Sequence, residues 1–372
     1  MKTFGTLSIG AVVFTFVELI DIVRSLKVDD LQLSSFIHHT GAQQFQVPEY
    51  GKLLCREVLS EDTEARILVH DDGGRDLTFV RSVRTPSGVF LGHEMGGIQS
   101  TVRCLHETGS NISACLGGVG VHTPLCSVVH STECRCRADV SQLPGLRYQK
   151  DMLGKTVSDC RAGRSNHFRV LLIGLGGGAI PLFLRRHCKQ AFIESVEVDT
   201  NVAALARRLL GFYEDDRCTL EINDGLAAVR DRARAAAASP NATRYDFVLV
   251  DCFDGGGIPT SCRSADFVAG LLRLLAPGGR VLQNAMGREV DGLLELYRAT
   301  FGAAQTTSSD VLGNAGQVLV EAIAVPQPWL DASRSRRNLE MSMGLEAFEQ
   351  SCVRACRALC RHYISTHVHT CG

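Results

Sequence analysis

The apolar run Val170-Leu171-Leu172-Ile173 passes directly into Gly174-Leu175-Gly176-Gly177-Gly178, and a helical pattern containing Phe183, Leu184 and Arg185 follows at once. No other stretch constrains the chain as much, because a strand that becomes a helix across four glycines has few folds open to it. Glycines let the backbone turn sharply and approach a ligand, and the helix start offers free amides and the positive end of its dipole. A second apolar strand ends about twenty residues on in Glu197-Val198-Asp199, where a carboxylate can hold two ribose hydroxyls. The stretch reads as a βαβ unit built for a nucleotide.

From Phe168 onward the strand and helix patterns alternate. Strands are predicted at Ile193 to Val198, Cys218 to Ile222, Tyr245 to Val250 and Arg280 to Asn284, with helices at Asn201 to Leu210, Leu226 to Ala238, Ala265 to Leu275 and Glu289 to Phe301. Pro277-Gly278-Gly279 marks a turn, and two last strands fall near Thr306 to Leu312 and Gln317 to Val325. The expectation is an α/β fold: a doubly wound, seven-stranded, Rossmann-like sheet closed by a terminal hairpin. Ahead of it, Ala65 to His70, the turn signal Asp71-Asp72-Gly73-Gly74 and Asp76 to Val80 read as β-hairpins. The predicted organisation is an amino-terminal segment (1–50), a small β-hairpin region (51–91), an irregular Cys/Gly-rich insertion (92–147), the α/β domain (148–330) and a helical tail (331–372).

Acids stand at the carboxyl ends of the third and fourth predicted strands, in Asn223-Asp224-Gly225 and Asp251-Cys252-Phe253-Asp254. A single acid there is usually a helix cap or a solvated turn. Recurrence at successive strand ends behind a glycine loop instead marks the edge where open α/β sheets bind ligands. Asp224 would reach an adenine amino group and Gly225 would leave room for the ring. The loop also fits a dinucleotide fingerprint loosely, with Ala179 last. The chain then gives Gly255-Gly256-Gly257 and a closing hairpin where a second mononucleotide half would be needed. That favours S-adenosyl-L-methionine over a nicotinamide cofactor.

Apolar content of 45% against 21% charged residues suits a core-forming protein, and a net charge of −1 points to neither a nucleic-acid partner nor an anionic membrane. Fifteen cysteines without paired spacing argue against a disulfide framework and for a reducing compartment, so a cytoplasmic protein is expected. The apolar Leu7 to Val17 is shorter than a bilayer span and is followed by Glu18 and Asp21. An amino-terminal signal or anchor is the alternative to a docked helix, and no stable membrane insertion is expected. Cys352, Cys356 and Cys360 lie at helical spacing near His362, His367, His369 and Cys371, a pattern that one helix face explains as well as zinc does, so no metal is assigned. Cys134-Arg135-Cys136 has the wrong spacing for a redox pair.

Val170 to Pro181, Val196 to Asp199, Asp224-Gly225 and Tyr245 to Asp254 resemble the spermidine synthase superfamily, and Tyr148-Gln149-Lys150-Asp151-Met152-Leu153 sits where its members carry Tyr-His-Glu-Met-Leu. The resemblance implies a class I methyltransferase-like fold with a small β domain in front. Gly-Leu-Gly-Gly-Gly followed by Pro181-Leu182-Phe183, with Gly211-Phe212 and Asp216-Arg217, is more similar to the carboxy-terminal half of the methyltransferase-like protein 13 family. These are methyltransferases of translation elongation factor 1-alpha. Spermidine synthases carry Asp where this chain has Gly177, and Asp-Pro where it has Asp254-Gly255. The departures favour methyl transfer over aminopropyl transfer.

The expected activity is therefore S-adenosylmethionine-dependent methylation of a protein amine. The matching half is credited with amino-terminal rather than lysine methylation, and elongation factor 1-alpha enters as acceptor through the resemblance alone. Gly174, Gly176, Gly177 and Gly178 would pass the methionine portion, with Glu197 on the ribose, Asp199 behind it, and Asp224 with Gly225 at the adenine. Asp251 would attract the amine and take its proton, assisted by Asp254. A polyamine aminopropyltransferase is the runner-up, and a catalytically silent relative is the third reading. Assembly as a homodimer is left open.

Overall fold

The computed structural model describes residues 51–70, 72–84, 90–105, 125–126, 134–162, 167–239, 241–253, 257–312 and 316–325. One compact unit extends to Ile323, and a second comprises the residues from Ala324 on, of which Ala324 and Val325 are described. The amino-terminal segment, the Cys/His-rich tail and Asp254 lie outside the described residues, as do the expectations placed on them.

Four strands, β1 (Lys52–Val58), β2 (Thr63–Val69), β3 (Gly74–Arg84) and β4 (Phe90–Arg103), form an antiparallel meander in chain order. The turn between β2 and β3 closes as its sequence predicts. Gly73 takes a positive φ of 83°, and Asp72 Oδ1 accepts from the Gly74 amide at 2.9 Å. Strand β4 corrects the sequence reading, which ended the hairpin region at 91 and began an irregular insertion at 92. Instead the front sheet runs on to Arg103. Register shifts at Leu77/Thr78, Thr78/Val80 and Val83/Arg84 break the two-residue alternation that would have revealed the pairing.

The main sheet has seven strands in the order β10-β11-β9-β8-β5-β6-β7. These are β5 (Phe168–Ile173), β6 (Ala191–Glu197), β7 (Cys218–Ile222), β8 (Tyr245–Val250), β9 (Leu275–Met286), β10 (Thr306–Asp310) and β11 (Gln317–Ile323). Strands β5 to β9 are mutually parallel, while β11 and β10 close the edge as an antiparallel hairpin. The predicted doubly wound α/β architecture is the observed one. Pro277-Gly278-Gly279, expected as a turn before β9, lies within it, at the register shift between Tyr245/Phe247 on its partner strand.

The helices are α1 (Arg147–Arg161), α2 (Ala179–His187), α3 (Thr200–Leu209), α4 (Gly225–Ala238), α5 (Ala265–Leu274) and α6 (Val290–Phe301). Helix α1 buries Tyr148, Met152, Leu153 and Val157 in one apolar cluster with β5, α2 and Phe247. The front sheet buries Leu54, Ile67, Leu77 and Phe79 against Val202, Leu205 and Leu209 of α3. Buried Arg75 fastens that contact by donating to the carbonyls of Cys134 at 2.6 Å and Leu209 at 2.7 Å. A cation suits the carbonyl end of α3. No described helix is long and apolar enough to cross a membrane.

The cysteines overturn the expectation that there is no disulfide framework. Of the ten described, nine are disulfide-bonded and Cys218 is free and buried. Cys55 pairs with Cys126, Cys104 with Cys136, Cys160 with Cys188 and Cys252 with Cys262. The partners are 71, 32, 28 and 10 residues apart in sequence, so linear spacing gave no sign of the pairs. Folding brings their Cα atoms to 4.9, 5.2, 6.1 and 6.4 Å, within the reach of a bridge. The argument for a reducing compartment falls with them.

Candidate active site

The chain winds from β5 outward through β6 to β7, then crosses back to lay β8 on the other side of β5. This reversal opens a crevice at the carboxyl ends of β5 and β8, where ligands of open α/β sheets are bound. Ile173 and Val250 end the paired strands, and the Asp251 amide continues the ladder by donating to the Ile173 carbonyl at 2.8 Å. The glycine loop and Asp251 are thereby held side by side. Gly174 has a φ of +92°, and a Cβ there would collide with the backbone carbonyl of Asp251. Glycine at 174 is a steric requirement of the strand crossing.

Glu197 is buried at the end of β6, and its carboxylate is aimed at the same loop. One oxygen accepts from the amides of Leu175 at 2.9 Å and Gly176 at 3.4 Å, and the other accepts from Asp199 N at 3.0 Å. Burial raises the Glu197 pKa, and the three backbone amides oppose that rise. Glu197 thus fixes the shape of the glycine loop. Asp199 and Asp224 cap helices. Asp199 Oδ1 accepts from Asn201 N at 2.7 Å and Val202 N at 3.2 Å to start α3, while exposed Asp224 accepts from Ala227 N at 2.9 Å to start α4. Val198 and Ile222, 67% and 41% exposed beside these acids, supply apolar surface on the same edge.

Asp251 is the centre of a polar chain that the sequence showed only in part. Tyr148 Oη donates to its Oδ2 at 2.8 Å, and Asn284 Nδ2 donates to its Oδ1 at 3.1 Å. Behind Asn284, Gln317 Nε2 donates to Asn284 Oδ1 at 2.8 Å. Gln149 Nε2 reaches Tyr148 Oη at 3.2 Å, while its Oε1 is buried without a partner. Burial pushes the Asp251 carboxyl up to about 6, against the bonds from Asn284 and Tyr148 that favour the anion. A carboxylate so placed can exchange a proton near neutral pH.

Tyr148, Asn284 and Gln317 were visible in the sequence without an assigned role. The available signal for Asn284 was its polarity at the end of the apolar strand Val281-Leu282-Gln283-Asn284. Gly177 also gains meaning from the fold. A Cβ at this position would lie 2.7 Å from Ser100 Oγ and 3.1 Å from Leu210 Cδ1, so the front sheet and the end of α3 fill the space a larger side chain would need.

Residues 148–294 match the family described as Spermine/spermidine synthase domain, so the resemblance read from the motifs holds over that stretch. A polyamine aminopropyltransferase of Vibrio vulnificus is 28% identical over 136 residues, covering 36% of this chain and 44% of the relative. An eEF1A lysine and N-terminal methyltransferase of Bos taurus is 32% identical over 143 residues, covering 36% of this chain and 20% of the relative. The chain thus spans less than half the length of these curated relatives. Among solved structures, human methyltransferase-like protein 13 in complex with SAH aligns with 48% of this chain and 82% of its own at 23% identity and a TM-score of 0.42. Spermidine synthase in complex with the transition state analogue AdoDATO aligns with 74% and 75% at 14% identity and a TM-score of 0.45.

Proposed function

We propose that the protein is an S-adenosylmethionine-dependent methyltransferase acting on a polypeptide amine. The observation that carries this reading is the convergence of the glycine loop, Glu197 and Asp251 on one crevice of the sheet. Gly176 takes a φ of +53°, a conformation that side chains rarely adopt, so the loop keeps bare backbone where a methionine portion would pass. Exposed Val198 and Ile222 would face the adenine, and Glu197, at the end of β6, would grip the ribose hydroxyls.

The cofactor, when bound, supplies a methyl group already activated on a sulfonium. The residues of the chain then have two tasks, which are to align an uncharged amine with that methyl group and to exclude water. Asp251 attracts the protonated amine and takes its proton, with Tyr148 and Asn284 holding both carboxylate oxygens in place. Asp254 remains a proposed assistant.

The close contacts that a side chain at Gly177 would make with Ser100 and Leu210 support methyl over aminopropyl transfer, because a carboxylate for the donor's cationic end would have to displace them. The relatives' names include both activities, and aminopropyl transfer is the reading to be tested against. The nine bonded cysteines favour an oxidising compartment over the cytoplasmic one expected from the cysteine spacing. We take the acceptor to be an amine met in that compartment, with the elongation-factor amino terminus as the alternative.

Calorimetry with S-adenosylmethionine, its decarboxylated form and NAD, joined to mass spectrometry of acceptor peptides, tests the reading. Binding of S-adenosylmethionine in preference to the other two, with a mass gain of one methyl group on a peptide amine, is expected. Spermidine formed from putrescine and the decarboxylated donor overturns it.

A further inference from the structure

The Cys252–Cys262 bridge lies against the candidate nucleoside site, and nothing in the methyl-transfer reading uses it. Cys252 follows Asp251 directly at the end of β8, and Cys262 lies in the short 3-10 turn Thr260–Arg263 ahead of α5. Both sulfurs face Gly225, the first residue of α4. A Cβ built on Gly225 would stand 3.6 Å from Cys262 Sγ, 3.8 Å from Cys252 Sγ and 2.8 Å from Ile173 Cγ2. The bridge therefore packs where three strand ends meet, namely β5 at Ile173, β7 leading into Gly225, and β8 at Cys252.

Its far end is anchored as well. Gln283 Nε2 of β9 donates to the Cys262 carbonyl at 3.1 Å, and Tyr297 Oη of α6 donates to Gln283 Oε1 at 2.7 Å. Cys262, Gln283 and Tyr297 are all buried, so this end of the bridge is fixed to the sheet interior. Among the described bridges, Cys160–Cys188 joins α1 to the end of α2, and Cys55–Cys126 and Cys104–Cys136 tie down β1 and the end of β4.

We propose that the Cys252–Cys262 disulfide is a positioning element of the nucleoside site, holding Gly225 and the Asp251 strand end at the spacing that the cofactor requires. The inference rests on the S-adenosylmethionine reading above. Its consequence is that cofactor affinity depends on the redox state of this one bridge. Reduction by a dithiol breaks the Cys252 Sγ–Cys262 Sγ bond and leaves two thiols, while the dithiol gives up two electrons and two protons and closes to its own disulfide. The freed turn then no longer fixes the wall beside Gly225, and affinity falls about tenfold, the scale of a typical coupling between sites.

Reciprocity supplies a test on the unaltered protein. If the bridge strengthens binding tenfold, bound S-adenosylhomocysteine must stabilise the bridge tenfold against reduction, which for a two-electron couple is a potential lower by about 30 mV. The experiment equilibrates the protein in dithiol redox buffers with and without saturating S-adenosylhomocysteine, alkylates free thiols, and quantifies Cys252 and Cys262 by peptide mass spectrometry. Selective protection of this bridge, with Cys160–Cys188 unshifted, is expected. Equal titration with and without ligand overturns the proposal.

Two double variants separate positioning from general stability. C252A/C262A should bind S-adenosylhomocysteine about tenfold more weakly and show no further loss in dithiol, while C160A/C188A should bind like the parent despite a lowered Tm. Parent-like binding by C252A/C262A sinks the inference and leaves the methyltransferase reading intact. Failure of the fully oxidised parent to bind S-adenosylhomocysteine sinks that reading, and this inference with it.

Discussion

Tyr148 Oη donates to Asp251 Oδ2 at 2.8 Å across a separation of 103 residues. The bond joins the first turn of α1 to the carboxyl end of β8, so the candidate base is positioned from outside the strand that carries it. Asn284 holds the other oxygen from β9. The carboxyl group is thus fixed by two elements and desolvated by both, and its pKa of about 6 follows from that enclosure.

Asp251→Asn should lower methylation by roughly 10² to 10⁴-fold, the usual share of a general acid-base group, while cofactor binding stays near that of the parent. The ratio of parent to variant rates should rise with pH up to about 6 and level off above it, because only the ionised carboxyl can take a proton. Taking the ratio cancels the titration of the acceptor amine itself. A ratio near one at every pH would reduce Asp251 to a strand-end residue.

Tyr148→Phe removes one of the bonds that favour the Asp251 anion and leaves the phenyl ring in its buried place. The midpoint of the pH profile should therefore move above about 6, with a larger rate loss at pH 6 than at pH 8. A uniform loss at both values would point to altered packing of α1 instead.

Glu197→Ala should weaken binding of both S-adenosylmethionine and S-adenosylhomocysteine. Each charge-assisted bond is worth roughly 1.5 to 3 kcal/mol, so the change in Kd should be on the order of 10 to 100-fold or more. Part of this loss acts through the loop, since the amides of Leu175 and Gly176 lose their acceptor. Calorimetry with an unchanged Kd would rule out the ribose grip.

Gly177→Asp restores the carboxylate of spermidine synthases in a space already taken by Ser100 and Leu210. The variant should melt at a lower temperature than the parent and still form no spermidine from putrescine and the decarboxylated donor. Gain of that product from this single substitution would show that the front sheet gives way easily and that the space at 177 does not decide between the two reactions.

The main sheet was legible because local chemistry and fold agree there. The βα units from Phe168 onward carry the right apolar periods, Asp199 and Asp224 cap the helices they precede, and the glycine loop turns where its φ values demand. Glu197, Gly174 and Asp251 could be named because parallel sheets bring the carboxyl ends of their strands to one edge. Other features depend on residues far apart in sequence, and no local pattern encodes them. Strand β4 hid behind register shifts, and Tyr148 and Asn284 meet Asp251, with Gln317 behind Asn284, only once α1, β9 and β11 have docked. The disulfides escaped for the same reason, since a bridge needs two Cβ atoms in facing positions and sequence spacing says nothing about that. Sequence alone determined which residues lie at strand ends and turns, through periodicity and backbone preference. Tertiary structure decided which of them are buried, bonded and brought against one another, because desolvation and contact are properties of the assembled layers.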